Sequence, residues 1–231
     1  MTSHAFRKGF LAGLPFVLVI IPFGMLFGVL ATEAGLNLAE TMAMSVLVIA
    51  GAAQFTALQL MQDGAPLVVA LLASLAVNLR MAMYSAALAP HIGAAPLGTR
   101  MVLSYFMVDQ TYGLAAAEYD ARPTAPLADK LGYFFGAVAA ICPLWYLASY
   151  LGAVLGTRIP PALALDFAVP ITFIAIIAPA LRTLPHVVAA LVSILLALAL
   201  AWMPYSLGLM VAASVAMVAA AQTEIWLEKR G

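Results

Sequence analysis

Residues 65–90 read APLVVALLASLAVNLRMAMYSAALAP, an apolar run with Asn78-Leu79-Arg80 near its middle. A guanidinium stays charged inside proteins, and placing one near a bilayer centre costs about 3 kcal/mol on insertion scales. About 20 largely apolar residues suffice to cross a bilayer, so this run is a membrane helix. Arg80 is then a costly residue that such a helix keeps only beside a partner or a polar cavity.

Composition extends that reading to the whole chain. It is 65% hydrophobic and 9% charged, against about 25% charged for a soluble domain, which defines an all-α integral membrane protein forming one membrane domain over 1–231. The net charge is zero, so no basic field favours nucleic acid. Cys142 is the one cysteine, which excludes an intramolecular disulfide and a cysteine metal cage and leaves the thiol a packing role. Arg7 and Lys8 precede an apolar run as in a signal peptide. That run continues from Phe10 to Ala31, beyond the roughly 7 to 15 residues of a signal core, and further spans follow it, so it reads as a retained first span.

Candidate spans cover 10–31, 41–61, 66–89, 100–117, 131–155, 164–181, 186–201 and 205–222. The last two are divided only by Trp202, Met203 and Pro204. They form two spans, a tight hairpin, or one span plus a re-entrant piece, which gives seven or eight transmembrane helices. With the N-terminus inside, Arg7, Lys8, Arg122, Lys130, Arg182, Lys229 and Arg230 are cytoplasmic and only Arg100 and Arg158 fall outside. The positive-inside rule therefore puts both termini in the cytoplasm.

A weak internal repeat is visible. Gly9-Phe10-Leu11-Ala12-Gly13 aligns with Gly132-Tyr133-Phe134-Phe135-Gly136, and Pro66-Leu67-Val68-Val69-Ala70 with Pro185-His186-Val187-Val188-Ala189. Repeats over 9–117 and 132–222 are the arrangement of many secondary transporters, with substrate held between halves. Four spans per half make the copies parallel and an odd number inverts them. Chance alignment of Ala/Val/Leu-rich helices is the competing explanation.

Helix breaks are expected at Pro22 and Gly24 in the first span, where Pro15 adds a second proline, and at Gly51 in the second. Gly51-Ala52-Ala53-Gln54-Phe55 brings a small-residue turn to a long amide. Pro170 and Pro179 suggest similar bends in span six. An unpaired backbone group in lipid persists only where protein or a polar cavity satisfies it, so breaks point to a shared cavity. Simple helix bending and packing is the alternative.

The deep polar residues supply the candidate chemistry. Asp109 is the one deep acid of the fourth span and the natural counter-ion for Arg80, because isolated buried charges each cost several kcal/mol. Arg80 and Tyr84 share a helix face, whereas Asn78 and Arg80 lie about 200° apart on an ideal helix and share a cavity only if the helix unwinds. One reading is a static Arg80–Asp109 bridge in a channel or a non-transporting scaffold. The other is a site for a zwitterion: Arg80, Asn78 and Gln54 for its carboxylate, Asp109 and Gln110 for its ammonium, and Phe55, Met83 and Met107 as apolar walls, with Tyr84 beside Arg80 and Asp109 as proton carrier.

The other charges, Glu33, Glu40, Asp63, Glu118, Asp120, Arg122, Asp129 and Lys130, read as solvated helix ends. His91 and His186 lack partners at metal spacing, so no metal is expected. Zinc-protease, nucleophile-elbow and phosphate-loop motifs are absent, which argues against an enzyme, and no cofactor is implied.

Pro22-Phe23-Gly24-Met25-Leu26-Phe27-Gly28, Ala50-Gly51-Ala52-Ala53-Gln54-Phe55 and Asn78-Leu79-Arg80 leading to Ala87-Leu88-Ala89-Pro90 together resemble the AzlC family of branched-chain amino-acid permeases, over nearly the whole chain. The resemblance implies export of valine, leucine, isoleucine or their analogues across a bacterial cytoplasmic membrane. It also implies a small AzlD-type membrane subunit as partner. Two positions depart from the family's habit: Gln110 follows Asp109 where Glu is frequent, and Met81 follows Arg80 where His is frequent. Both remove a titratable group, so the substrate or the coupling differs from the best-known cases.

Overall fold

The computed structural model describes residues 3–156, 181, 183–203 and 207–229. The candidate sixth span, with Pro170 and Pro179, lies outside them. Among the described residues the fold is all α. Three helical stretches, Ser3–Glu33, Leu67–Ile92 and Leu127–Gly156, are long and apolar enough to cross a membrane, and shorter apolar helices accompany them.

The first stretch is α1 (Ser3–Gly13), a single 3-10 turn at Leu14–Phe16, and α2 (Val17–Glu33). The turn falls at Pro15, whose missing N–H and ring disfavour a regular helix interior. The break expected at Pro22 and Gly24 is absent, because α2 runs through both. Gly24 serves packing instead: a Cβ there would lie 2.9 Å from Ala148 Cβ.

After a turn in which Gly35 takes φ +88°, α3 (Leu38–Leu47) starts on a reciprocal cap. Glu40 N–H donates to Asn37 Oδ1 at 3.0 Å and Asn37 N–H to Glu40 Oε2 at 2.8 Å, satisfying two groups that a helix start leaves orphaned. The region drawn from the sequence as one span at 41–61 is two helices: α3 ends, the Ala50 N–H donates to the Val48 carbonyl at 2.8 Å, and α4 (Gly51–Gln62) begins at Gly51. Next comes α5 (Leu67–Ile92), uninterrupted. The region drawn at 100–117 is likewise α6 (Leu97–Tyr105) and α7 (Asp109–Ala121). Thr111 Oγ1 spans that gap, accepting from Val108 N–H at 3.0 Å and donating to the Phe106 carbonyl at 2.8 Å. The long α8 (Leu127–Gly156) follows.

The chain forms two compact units, Met1–Gln59 with Ala70–Pro160, and Leu60–Val69 with Pro161–Gly231. In the first, α8 packs along α1 and α2 in parallel register: Gly9 meets Tyr133, Gly13 meets Ala137 and Ala140, Gly24 meets Ala148, Gly28 meets Ser149 and Ala153, and Gly156 meets Thr32. Added Cβ atoms at Gly9, Gly28, Gly136 and Gly152 would overlap backbone of the facing helix. Lipid gives apolar surfaces no reason to separate from it, so close backbone approach at small residues supplies the association. Phe27, Phe134, Tyr133 and Trp145 fill the core beside this seam. In the second unit α9 (Leu184–Ala199) and α10 (Leu207–Glu228) pack together, with Gly208 against Leu200.

Candidate functional site

Arg80 projects from α5 toward the N-terminus of α7, where Arg80 Nη2 and Asp109 Oδ2 are 3.1 Å apart. Tyr84, one turn further along α5, donates its hydroxyl to Asp109 Oδ1 at 2.9 Å. Its ring lies flat on Tyr112, centroids 4.0 Å apart and planes 8° from parallel. Asp109 is the first residue of α7, so its carboxylate also lies where the unpaired N–H groups of a helix start favour negative charge.

The depth of this group follows from helix geometry. His91 Nδ1 is 3.4 Å from Lys130 Nζ at the start of α8, and Arg80 lies three turns back along α5, about 16 Å from that end. That is half of a hydrocarbon core about 30 Å thick. The pair is open on one side, with 32% of the Arg80 side chain and 42% of the Asp109 side chain accessible. Arg80 Nε is buried without a hydrogen-bond partner, leaving donor capacity unused beside the acid.

Gln54 and Phe55 belong to a second cluster in the first turns of α4. Gln54 is fully buried; its Nε2 donates to the Met44 carbonyl at 3.1 Å, while its Oε1 is unpartnered. Phe55 packs on Phe23 and Phe27, with centroids at 4.8 and 6.2 Å, and Trp145 lies beside both of those rings. Gly51 is what admits the group, since a Cβ there would sit 2.9 Å from Trp145 and 3.0 Å from Phe23. Ser74 of α5 ties the cluster to the helix of Arg80, donating to the Ala53 carbonyl at 3.2 Å.

The structure thus brings together Arg80, Tyr84 and Asp109. It sets Gln54 and Phe55 in the neighbouring cluster and leaves Gln110 half-buried beside Asp109. Asn78 does not join Arg80, because α5 is not unwound there and the two residues occupy different faces. Of the two methionines expected as apolar walls, Met83 is 71% exposed and Met107 is buried. Sequence reading marks Tyr112 only as a polar interruption of the fourth span, with no part in the site, and passes over Trp145. The three-residue spacing from Asp109 to Tyr112 puts both on one helix face and is the signal for Tyr112. Trp145 has none, because its partners come from α2 and α4.

A helical chain holding an arginine–aspartate–tyrosine group at mid-depth in its apolar layer is an integral membrane protein with an internal polar site. It belongs to the AzlC family: the AzlC protein description matches residues 15–159, and that family is linked to membrane transport. An uncharacterized membrane protein of Archaeoglobus fulgidus is 37% identical over 99 residues, covering 40% of this chain and 44% of the relative. The inner membrane protein YgaZ of Escherichia coli K12 is 29% identical over 117 residues, covering 50% and 48%. The chain therefore matches about half the length of these relatives. No solved structure matches it.

Proposed function

We propose that this chain is the larger subunit of a secondary transporter that exports branched-chain or similar apolar amino acids across a bacterial cytoplasmic membrane. It works by ion-coupled alternating access with a small AzlD-type membrane subunit. The observation that carries the reading is the half-open Arg80–Asp109–Tyr84 group at mid-depth. A pair built only for packing gains from complete enclosure and full hydrogen bonding, whereas this one keeps an unused guanidinium donor and an accessible face.

An amino acid offers a carboxylate, which competes with Asp109 for Arg80, and an ammonium, which takes Asp109 in exchange. Such a swap keeps both charges of the half-open site paired throughout. The stacked Tyr84–Tyr112 rings and Met107 supply apolar surface for a short aliphatic side chain. When Asp109 carries a proton instead, Arg80 is released to the substrate carboxylate, which couples cargo to a proton. Residence in the inner membrane is what the name of the Escherichia coli relative states of that protein, and it is carried here as part of the proposal.

Counterflow in proteoliposomes containing the chain with its small co-expressed partner tests this. Saturable valine counterflow that disappears in Arg80→Ala is the expected result. Non-saturating leak, or full activity in that variant, refutes the carrier reading.

A further inference from the structure

The long helix α8 serves as a ruler for depth, since 16 residues from Lys130 to Tyr146 rise about 24 Å. His91 at the end of α5 lies beside Lys130. From there the chain enters α6, and the Tyr105 hydroxyl at its far end reaches the Tyr146 hydroxyl at 2.8 Å. By the end of α7 it has come back: the Tyr119 hydroxyl donates to the Lys130 carbonyl at 2.8 Å, and Glu118 bridges Lys8 in the middle of α1 at 2.6 Å. So α6 ascends from one end of the unit and α7 descends to the same end.

The pair α3–α4 does the reverse. Asn37 and Leu38 line one hollow with Ala153 and Val154 at the other end of α8. Ser45 Oγ then donates to Ser149 Oγ at 3.1 Å, and Gly51 sits against Trp145 and Phe23, so α3 descends. Phe55, one turn on, touches Phe27 as well as Phe23, and Gln54 reaches back to the Met44 carbonyl. Continuing the direction of α3 would carry Gln54 about 15 Å beyond Met44, so α4 has turned back.

The two pairs share a pattern. Leu38, Met42 and Ser45 have the spacing of Leu97, Met101 and Ser104. The stretches Leu38–Gln62 and Leu97–Ala121 are equally long, and each has its three-residue gap after the first helix. The tips meet where the Tyr105 hydroxyl donates to the Val46 carbonyl, so one hairpin satisfies a helix-end carbonyl of the other inside the apolar layer. Charge agrees. Folding α6 back places Arg100 at the end that holds Arg7, Lys8, Arg122 and Lys130, whereas Glu33 and Glu40 mark the opposite end. A full crossing leaves Arg100 as an exception to the positive-inside rule, and the hairpin removes it.

We infer that α3–α4 and α6–α7 are re-entrant hairpins, inverted copies that enter from opposite faces of the bilayer, meet tip to tip, and act as the two gates of the pathway past Arg80 and Asp109. The topology stands on the contacts alone; the gating role rests on the transport reading above. At the basic face the α6–α7 gate is held by the Lys8–Glu118 ion pair to α1 and by the Tyr119 hydroxyl on the Lys130 carbonyl of α8. At the opposite face the α3–α4 gate is held by Ser45 on Ser149.

Topology is read without any transport assay. In a Cys142→Ala background, single variants Ala94→Cys, Gly98→Cys, Thr124→Cys and Ala39→Cys are treated with a membrane-impermeant maleimide in right-side-out and inverted vesicles. Positions 94, 98 and 124 label from one face and 39 from the other. Labelling of 94 and 98 from the face opposite 124 makes α6–α7 a crossing and overturns the inference. For the gate, Gln110→Cys labels several-fold faster from the face of Thr124 once Glu118→Gln cuts the bridge to Lys8. An unchanged rate overturns the gating role, and lost counterflow with intact topology overturns only the transport reading.

Discussion

Tyr84 holds Asp109 at 2.9 Å while its ring is pinned flat against Tyr112, so the acid opposite Arg80 is fixed by a side chain that cannot swing away freely. A hydrogen bond to a charged group contributes about 1.5–3 kcal/mol, and a factor of ten corresponds to about 1.4 kcal/mol. Tyr84→Phe keeps the stack and removes the bond. Its expected phenotype is a fall of about tenfold in counterflow rate with a loss of only a few degrees in the melting temperature of the purified protein. A large drop in melting temperature with proportionate activity loss assigns Tyr84 to the scaffold instead.

The roles of Arg80 and Asp109 separate by assay. Asp109→Asn keeps an acceptor beside Arg80 but cannot exchange a proton, so gradient-driven uphill transport is lost and exchange persists. Equal loss of both marks the carboxylate as structural. Arg80→Lys retains the charge on a point-like head without the planar fork that engages a carboxylate through two donors. It shows a raised half-saturation concentration for valine and a smaller change in maximal rate, measured as the concentration dependence of counterflow.

How much of this the sequence carried depended on whether the information was local. The charge of Arg80 within an apolar run, its pairing to Asp109 and the sharing of a face by Arg80 and Tyr84 follow from composition and helical spacing. The regions 41–61 and 100–117 looked like ordinary spans because a hairpin of two short helices has nearly the apolar length of one crossing. What distinguishes them is contact with distant residues: Ser149 for Ser45, Tyr146 for Tyr105, Lys8 for Glu118. Pro22 misled for a related reason. A proline predicts a lost bond wherever it sits, yet α2 runs unbroken through Pro22, and the same helix packs closely on α8 just beyond it at Gly24 and Gly28.

That packing is itself testable. Gly28 faces backbone of Ser149, Gly152 and Ala153, and Gly152 faces backbone of Met25, closely enough that any Cβ collides. Overpacking of this kind costs about 1–3 kcal/mol or more when the backbone has to move. Gly28→Leu and Gly152→Leu each lower the detergent melting temperature sharply. Gly98→Leu, at a site with open space around its Cβ position, does not. Equal tolerance at all three positions refutes the tight α2–α8 seam.

The hydroxyl of Tyr105 joins the Val46 carbonyl of α3 to the Tyr146 hydroxyl of α8, so this side chain links both hairpin tips to the long helix. Removing it in Tyr105→Phe leaves the Val46 carbonyl without that donor in a region where water is scarce. Polar contacts between membrane helices contribute about 0.6–2 kcal/mol, too little to unfold the protein and enough to shift a balance between two gate positions several-fold. The expected outcome is near-normal stability, with labelling of Gln110→Cys becoming faster from at least one face. If labelling is unaltered from both faces while stability falls, Tyr105 is a packing contact and the tips do not separate during the cycle.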